Sequence, residues 1–189
     1  MYPTIKLDSK TNTMKPRSFI LSVVAILALA GCSSDREPNQ KLADYVDLER
    51  FMGKWYVHGY TPTAIDKNAW NPTETYEMRE DGKIQTIYQF RQGSADGNLK
   101  TYGPVGTVKD TETNAEWRMR FFGVINAAYY VVYVSDDYQE TIIGHPNKKY
   151  AWIMTRSNSI DDAAYKNLLQ ELKDRDYDLE RFQKASHDW

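Results

Sequence analysis

Cysteine is almost absent from this 189-residue chain. Cys32 is the only one, which excludes an internal disulfide and any thiolate metal cluster. Histidine is nearly as scarce, and His58, His145 and His187 stand far apart with no ligand spacing between any two, so no metal site is expected. There is no G-x-S-x-G elbow, no H-E-x-x-H pair and no glycine-rich loop of the kind that cradles phosphate. Asp161-Asp162 is the nearest approach to a carboxylate pair, and it reads as charge at a helix N-terminus. With no nucleophile set beside a base, the chain is not expected to be an enzyme, and nothing in it calls for a cofactor.

Concentrated positive charge is missing too. The 24 Lys and Arg against 26 Asp and Glu give a net charge of −2. Residues 1–31 hold Lys6, Lys10, Lys15 and Arg17 against Asp8, a net of +3, which leaves −5 for the rest of the chain. A mildly acidic body without a Lys/Arg stripe argues against nucleic acid as partner, because phosphate binding needs clustered cations. No internal repeat and no low-complexity segment is present.

The longest apolar run, within 18–30, is about a dozen residues, which suits a signal-peptide core and is too short to span a bilayer comfortably. Lys15 and Arg17 precede it, and residues 14–32 alone make a complete signal, so Met14 serves as a start as well as Met1. The run ends in Leu29-Ala30-Gly31-Cys32, which resembles the bacterial lipobox and uses the only cysteine. That resemblance implies a signal peptide over 1–31 and acylation of Cys32. Ser33, next to it, resembles the residue that sends such lipoproteins to the outer membrane of a Gram-negative bacterium. Residues 32–42, polar and containing Pro38, read as a tether. A plain secretory signal or an uncleaved anchor is the alternative.

What the sequence has in excess is aromatic: 14 Tyr, 5 Trp and 6 Phe, mostly in short runs between 55 and 152. In Trp117-Arg118-Met119-Arg120-Phe121 the period of two puts Trp117, Met119 and Phe121 on one face and both arginines on the other. Similar runs cover 54–61, 73–79, 84–91, 99–109, 128–134, 139–144 and 150–156, which with 115–121 makes eight strands. Glu80-Asp81-Gly82, Ser94-Ala95-Asp96-Gly97 and His145-Pro146-Asn147 are among the turn-forming connections. Eight strands joined this way form an antiparallel meander that closes into a barrel, although the count alone does not prove closure. After them Ser159 and Asp162 give a capping signature ahead of Ile160, Ala164, Leu168 and Leu172, an amphipathic helix expected to pack on the barrel wall. A short outer strand is expected over 178–183.

Gly53-Lys54-Trp55-Tyr56 resembles the G-x-W motif that opens the first lipocalin strand. Asp136-Asp137-Tyr138 resembles the family's T-D-Y turn with its Thr replaced, and the run from Tyr150 to Arg156 resembles its last strand, which ends in arginine. Phe121-Phe122-Gly123 and the stretch 144–156 look like the bacterial lipocalins, which are outer-membrane lipoproteins. The resemblance implies an all-β fold, an eight-stranded antiparallel up-and-down barrel with a C-terminal α-helix outside it, over a domain at 43–189. It also implies structural roles for Gly53, Trp55, Asp137, Tyr138 and Arg156, with Arg156 stacked on Trp55 at the closed end.

With Trp55 inward, parity sends Val57 and Gly59 inward and leaves Tyr56, His58 and Tyr60 outside. Parity, fixed by the resemblance where alternation is ambiguous, gives an interior of Val57, Tyr76, Met78, Thr86, Tyr88, Phe90, Trp117, Met119, Phe121, Tyr129, Val131, Tyr133, Trp152 and Met154. The expected function is therefore to bind and store or transport a small hydrophobic ligand, a fatty acid, lysophospholipid or similar lipid, with the chain attached to the membrane through acyl chains on Cys32. Enzymatic lipocalins such as the prostaglandin isomerases use a barrel cysteine, which this barrel lacks. Two other readings stay open: a barrel filled by its own side chains in a purely structural envelope lipoprotein, and a haem carrier should a one-residue slip turn His58 inward. Outward Tyr56, Tyr60 and Tyr130 would suit a homodimer.

Overall fold

The structure is a computed structural model that describes residues 40–189. The expected signal peptide, Cys32 and most of the tether lie outside the described residues. A short helix, α1 (Leu48–Phe51), leads into β1 (Gly53–Tyr60), β2 (Ala69–Met78), β3 (Ile84–Gln92), β4 (Leu99–Tyr102), β5 (Val105–Val108), β6 (Glu116–Phe121), β7 (Ile125–Val134), β8 (Glu140–Gly144) and β9 (Ala151–Thr155). Then come α2 (Asp162–Asp174) and β10 (Gln183–Lys184). Alternation governs the strands: in β6, Trp117 and Met119 are buried while Arg120 is exposed.

Sequential strands pair antiparallel and β9 returns to pair with β1, closing the sheet on itself. Both β4 and β5 pair with β3, so they are two parts of one stave and the barrel has the expected eight. The strand expected over 99–109 is broken at Gly103-Pro104, where proline has no N–H for the ladder while its carbonyl accepts Thr86 N–H at 3.0 Å. The outer strand falls at Gln183–Lys184 rather than 178–183. It pairs with Gly59 and Tyr60, the part of β1 beyond its pairing with β2, which ends at Tyr56. The C-terminal segment thus patches the wall between β1 and β2, with Asn71 N–H donating to Ser186 O at 2.9 Å.

Two apolar clusters result. One lies inside the barrel, from Val46 and Phe51 through Trp55, Tyr76 and Trp117 to Tyr88 and Phe90; the other lies between the outer wall and α2, where Leu168 and Leu172 meet Tyr130, Val132, Ile142 and Ile153. The helix is capped by Asp161, whose carboxylate accepts Ala164 N–H at 2.8 Å, and not by the Ser159 of the expected capping signature. No helix among the described residues is long and apolar enough to cross a membrane.

Candidate functional site

The closed end is built on α1. Asp47 caps it by accepting the Glu49 and Arg50 N–H groups at 3.0 and 3.2 Å, and Gly53 at φ +94° turns the chain into β1. A side chain at Gly53 would need that left-handed conformation and would stand 3.3 Å from Arg156 Nη1, so two constraints select glycine. Trp55 Nε1 donates to Phe51 O at 2.9 Å, and the Arg156 guanidinium lies 3.7 Å from the centre of the Trp55 ring. Phe51 packs on Trp55, Tyr76 and Trp117 with ring centres 5.2–5.5 Å apart, which plugs the floor. In the β7–β8 turn Asp137 accepts from Ser135 Oγ and Gln139 N–H, while the Tyr138 hydroxyl accepts Asp47 N–H at 2.7 Å and ties that turn to α1.

Above the floor lies a cavity of about 460 Å³. Glu74, Thr86, Tyr88, Pro104, Met119, Tyr129 and Trp152 line it inside, and the β1–β2 loop (63–66), Phe121, Ile125, His145 and Tyr150 surround its mouth. The volume falls within the roughly 300–1,000 Å³ of ordinary ligand pockets, and the barrel is not filled by its own side chains. Two carboxyl groups line this apolar cup and no lysine or arginine does. Glu74 Oε2 accepts from Tyr129 Oη at 2.6 Å and from Tyr76 Oη. Burial pushes the Glu74 carboxyl above the usual range against the lowering effect of those two bonds, and burial beside Glu74 drives both phenols well up. Nearer the mouth, Asp66 accepts from Thr63 N–H and Oγ1 at 2.6 and 2.7 Å and from Tyr88 Oη at 3.0 Å.

Residues 46–187 match the family described as the lipocalin-like domain. The chain belongs to the lipocalin family. Temperature-induced lipocalin-1 of Arabidopsis thaliana is 26% identical over 148 residues, covering 74% of this chain and 78% of that protein. The outer membrane lipoprotein Blc of Escherichia coli K12 is 23% identical over 176 residues, covering 89% and 96%. Among solved structures, insecticyanin from the tobacco hornworm Manduca sexta superposes with a TM-score of 0.62 at 20% identity, covering 80% of this chain and 85% of its own. With Blc lipoproteins of Gram-negative bacteria among its relatives, this is a lipocalin of the bacterial type.

Of the fourteen interior positions expected in this lipocalin, Thr86, Tyr88, Met119, Phe121, Tyr129 and Trp152 line the cavity. Val57, Tyr76, Phe90, Trp117, Val131 and Met154 are in the barrel core around it. Two fall elsewhere. Met78 keeps the parity of Tyr76, but the strand has run past the floor by then and the side chain is 46% exposed. Tyr133 packs in the outer cluster, because the register slips between Val131 and Tyr133 and turns Val132 and Tyr133 outward together.

A second slip between Val57 and Gly59 corrects β1 in the same way. Gly59 faces outward, where an added Cβ would meet Tyr165 Oη at 2.7 Å, and Tyr60 turns inward to donate to Asp66 O at 3.0 Å. His58 stays on the outside as expected, yet it is buried beneath the C-terminal segment, its ring 5.1 Å from that of His187. Its orientation removes His58 as an inward haem ligand. The aromatics expected to form a dimer surface are occupied within the chain: Tyr60 inside, Tyr130 in the cluster under α2 and Tyr56 against Trp189 at 5.1 Å.

Sequence reasoning missed Asp66, Glu74 and His145. The signal for Glu74 was present, since it shares the parity of Tyr76; its polarity argued for an outward place. Among the described residues no group of three or more His, Cys, Asp or Glu is placed to hold a metal ion.

Proposed function

We propose that this lipocalin is a carrier, not a catalyst: it binds a single-chain lipid, a fatty acid, lysophospholipid or similar molecule, in the barrel and stores or transports it at the outer membrane, where Cys32 anchors it. The observation that carries the reading is the cavity of about 460 Å³ walled by Tyr88, Met119, Phe121, Tyr129 and Trp152. Apolar area buried there contributes roughly 25 cal/mol per Å² before association costs are subtracted. Trp152 on its wall supplies a reporter.

Delipidated, refolded domain should show saturable quenching of tryptophan fluorescence by palmitate or lysophosphatidylethanolamine, and native mass spectrometry of the undelipidated protein should show one bound lipid per chain. Ala127→Trp, which places an indole at a lining position, should weaken binding on the order of tenfold or more with folding retained. If no lipid co-purifies and neither probe quenches, the carrier reading is wrong.

The anchor is tested separately in cells of a Gram-negative host. Labelled palmitate should be incorporated into the full chain and the protein should sediment with outer membranes; Cys32→Ser should abolish the label and release the protein. Label retained in Cys32→Ser would sink the assignment.

A further inference from the structure

The innermost wall of the cavity carries a polar group that the carrier reading leaves unused. Glu74 and Tyr76 on β2 stand opposite Tyr88 and Thr86 on β3, so Glu74 and Thr86 are diagonal neighbours on the inner face, and both line the cavity. Glu74 spends only Oε2 on the two phenols; its Oε1 accepts no bond from any described residue. The Thr86 hydroxyl, on a residue 1% exposed, has no hydrogen-bond partner among the described residues. A barrel meant to receive only the methyl end of an alkyl chain would gain nothing from this pair, since a buried polar group left unpaired costs free energy.

Three kinds of polar end differ in how they meet the pair. A carboxylate only accepts; it would take the Thr86 proton but would set one acceptor against another at Glu74 Oε1, with no lysine or arginine lining the cavity to offset its charge. An ammonium only donates and would bring a full charge out of water. A hydroxyl does both without charge, donating to Glu74 Oε1 and accepting from Thr86 Oγ1.

We propose that the ligand enters with a hydroxyl innermost, so that the substrate class is a long-chain alcohol or a single-chain lipid hydroxylated at its inserted end, held between Glu74 and Thr86. This rests on the carrier reading and narrows it. A fatty acid is then accommodated only with its carboxylate away from the floor.

The test compares four probes of one chain length, 1-dodecanol, dodecane, dodecanoate and dodecylamine, by displacement of a fluorescent apolar probe from delipidated domain at pH 7. Dodecanol should bind about tenfold more tightly than dodecane, the increment of one well-made buried hydrogen bond to an ionisable group, and more tightly than dodecanoate or dodecylamine. Thr86→Val, of nearly the same shape, should remove most of the advantage of dodecanol over dodecane, read as the ratio of their two affinities. Glu74→Gln keeps an acceptor for the phenols and should let dodecanoate approach dodecanol. Should the glutamine variant fail to fold, Thr86→Val alone decides.

If dodecanol and dodecanoate bind equally and both variants leave the order unchanged, the chain enters methyl first and the hydroxyl assignment falls while the carrier reading stands. A lead for dodecylamine would make the floor an ammonium site and overturn the hydroxyl likewise. Failure of all four probes to displace would remove the carrier reading itself, and this inference with it.

Discussion

Replacing Arg156 with alanine should lower the unfolding free energy by about 3 kcal/mol, read in urea titration or as a fall in Tm of roughly 6–12 °C, without changing lipid affinity. The guanidinium donates Nη2–H bonds to the carbonyls of Arg50, Phe51 and Met52 at 2.7, 3.1 and 2.8 Å and an Nη1–H bond to Lys54 O at 2.9 Å. The Arg50, Phe51 and Met52 carbonyls close the four-residue helix α1, which is too short to satisfy its own C-terminal end. Phe51 O keeps the Trp55 indole as donor when Arg156 is lost, but the others depend on the arginine or on water reaching a half-buried site. The stacked ring adds roughly 0.5–2 kcal/mol. Lysine restores the charge without the planar fork, so Arg156→Lys should recover less than half the loss. Trp55→Ala should cost about 3–5 kcal/mol, and the double variant less than the sum, because the two residues share one contact. A loss below about 1 kcal/mol for Arg156→Ala would show that water replaces the fork at little cost.

The floor was legible in the sequence because its chemistry is local to a few rare residue types. Gly53, Trp55 and Arg156 each meet more than one requirement, and such positions tolerate no substitute that a pattern would blur. Parity failed where the backbone slipped. Val132 and Tyr133 both face α2, and His58 and Gly59 both face the C-terminal segment, although period two allows only one of each pair outside. A bulge inserts one residue and sends everything beyond it to the other face, and no residue type announces these two. That is why Tyr133 was expected inside and Tyr60 outside.

Charge was misread for a different reason. The sequence has no basic stripe, yet Arg79, Lys83, Lys109, Arg118 and Arg120 gather around one groove on the outer wall, brought from the β2–β3 hairpin, the end of β5 and the outer face of β6. Linear spacing carries no trace of cross-strand neighbours such as Thr107 and Arg118. Glu74 is the inward counterpart. A carboxyl flanked by strand residues reads as a solvent position, and only the two phenols that reach it from Tyr76 and from Tyr129, 55 residues further along the chain, make an interior place tolerable.

Acidification should loosen the C-terminal segment before the rest of the barrel, and His58 should set the pH at which it happens. His58 is buried beneath that segment, its Nε2 2.9 Å from Thr155 Oγ1 and 3.1 Å from Ser157 O, with His187 beside it and the Lys184 cation adding to the local positive potential. Burial holds His58 down at about 4 against an ordinary 6.5, and lowers His187 in the same sense. Both rings are therefore neutral in the folded protein at neutral pH, and between pH 6.5 and 4 the unfolded chain binds protons that the folded one refuses. Stability is full above the unfolded value and declines as pH falls through that window. The His58 shift corresponds to about 3 kcal/mol at most, and to about 2 kcal/mol after allowance for solvent screening. The bonds lost first should be those that hold the segment, Ala185 N–H to His58 O at 2.8 Å and Asp188 N–H to Asn71 Oδ1 at 2.8 Å, seen as lower amide protection factors, each normalised to the intrinsic exchange rate at its pH, at pH 4.5 than at pH 7.5. His58→Gln carries no titrating ring, so its urea midpoint should fall less between those two pH values than that of the parent chain. Equal falls in both would place the acid sensitivity in the carboxylates and end the case for His58.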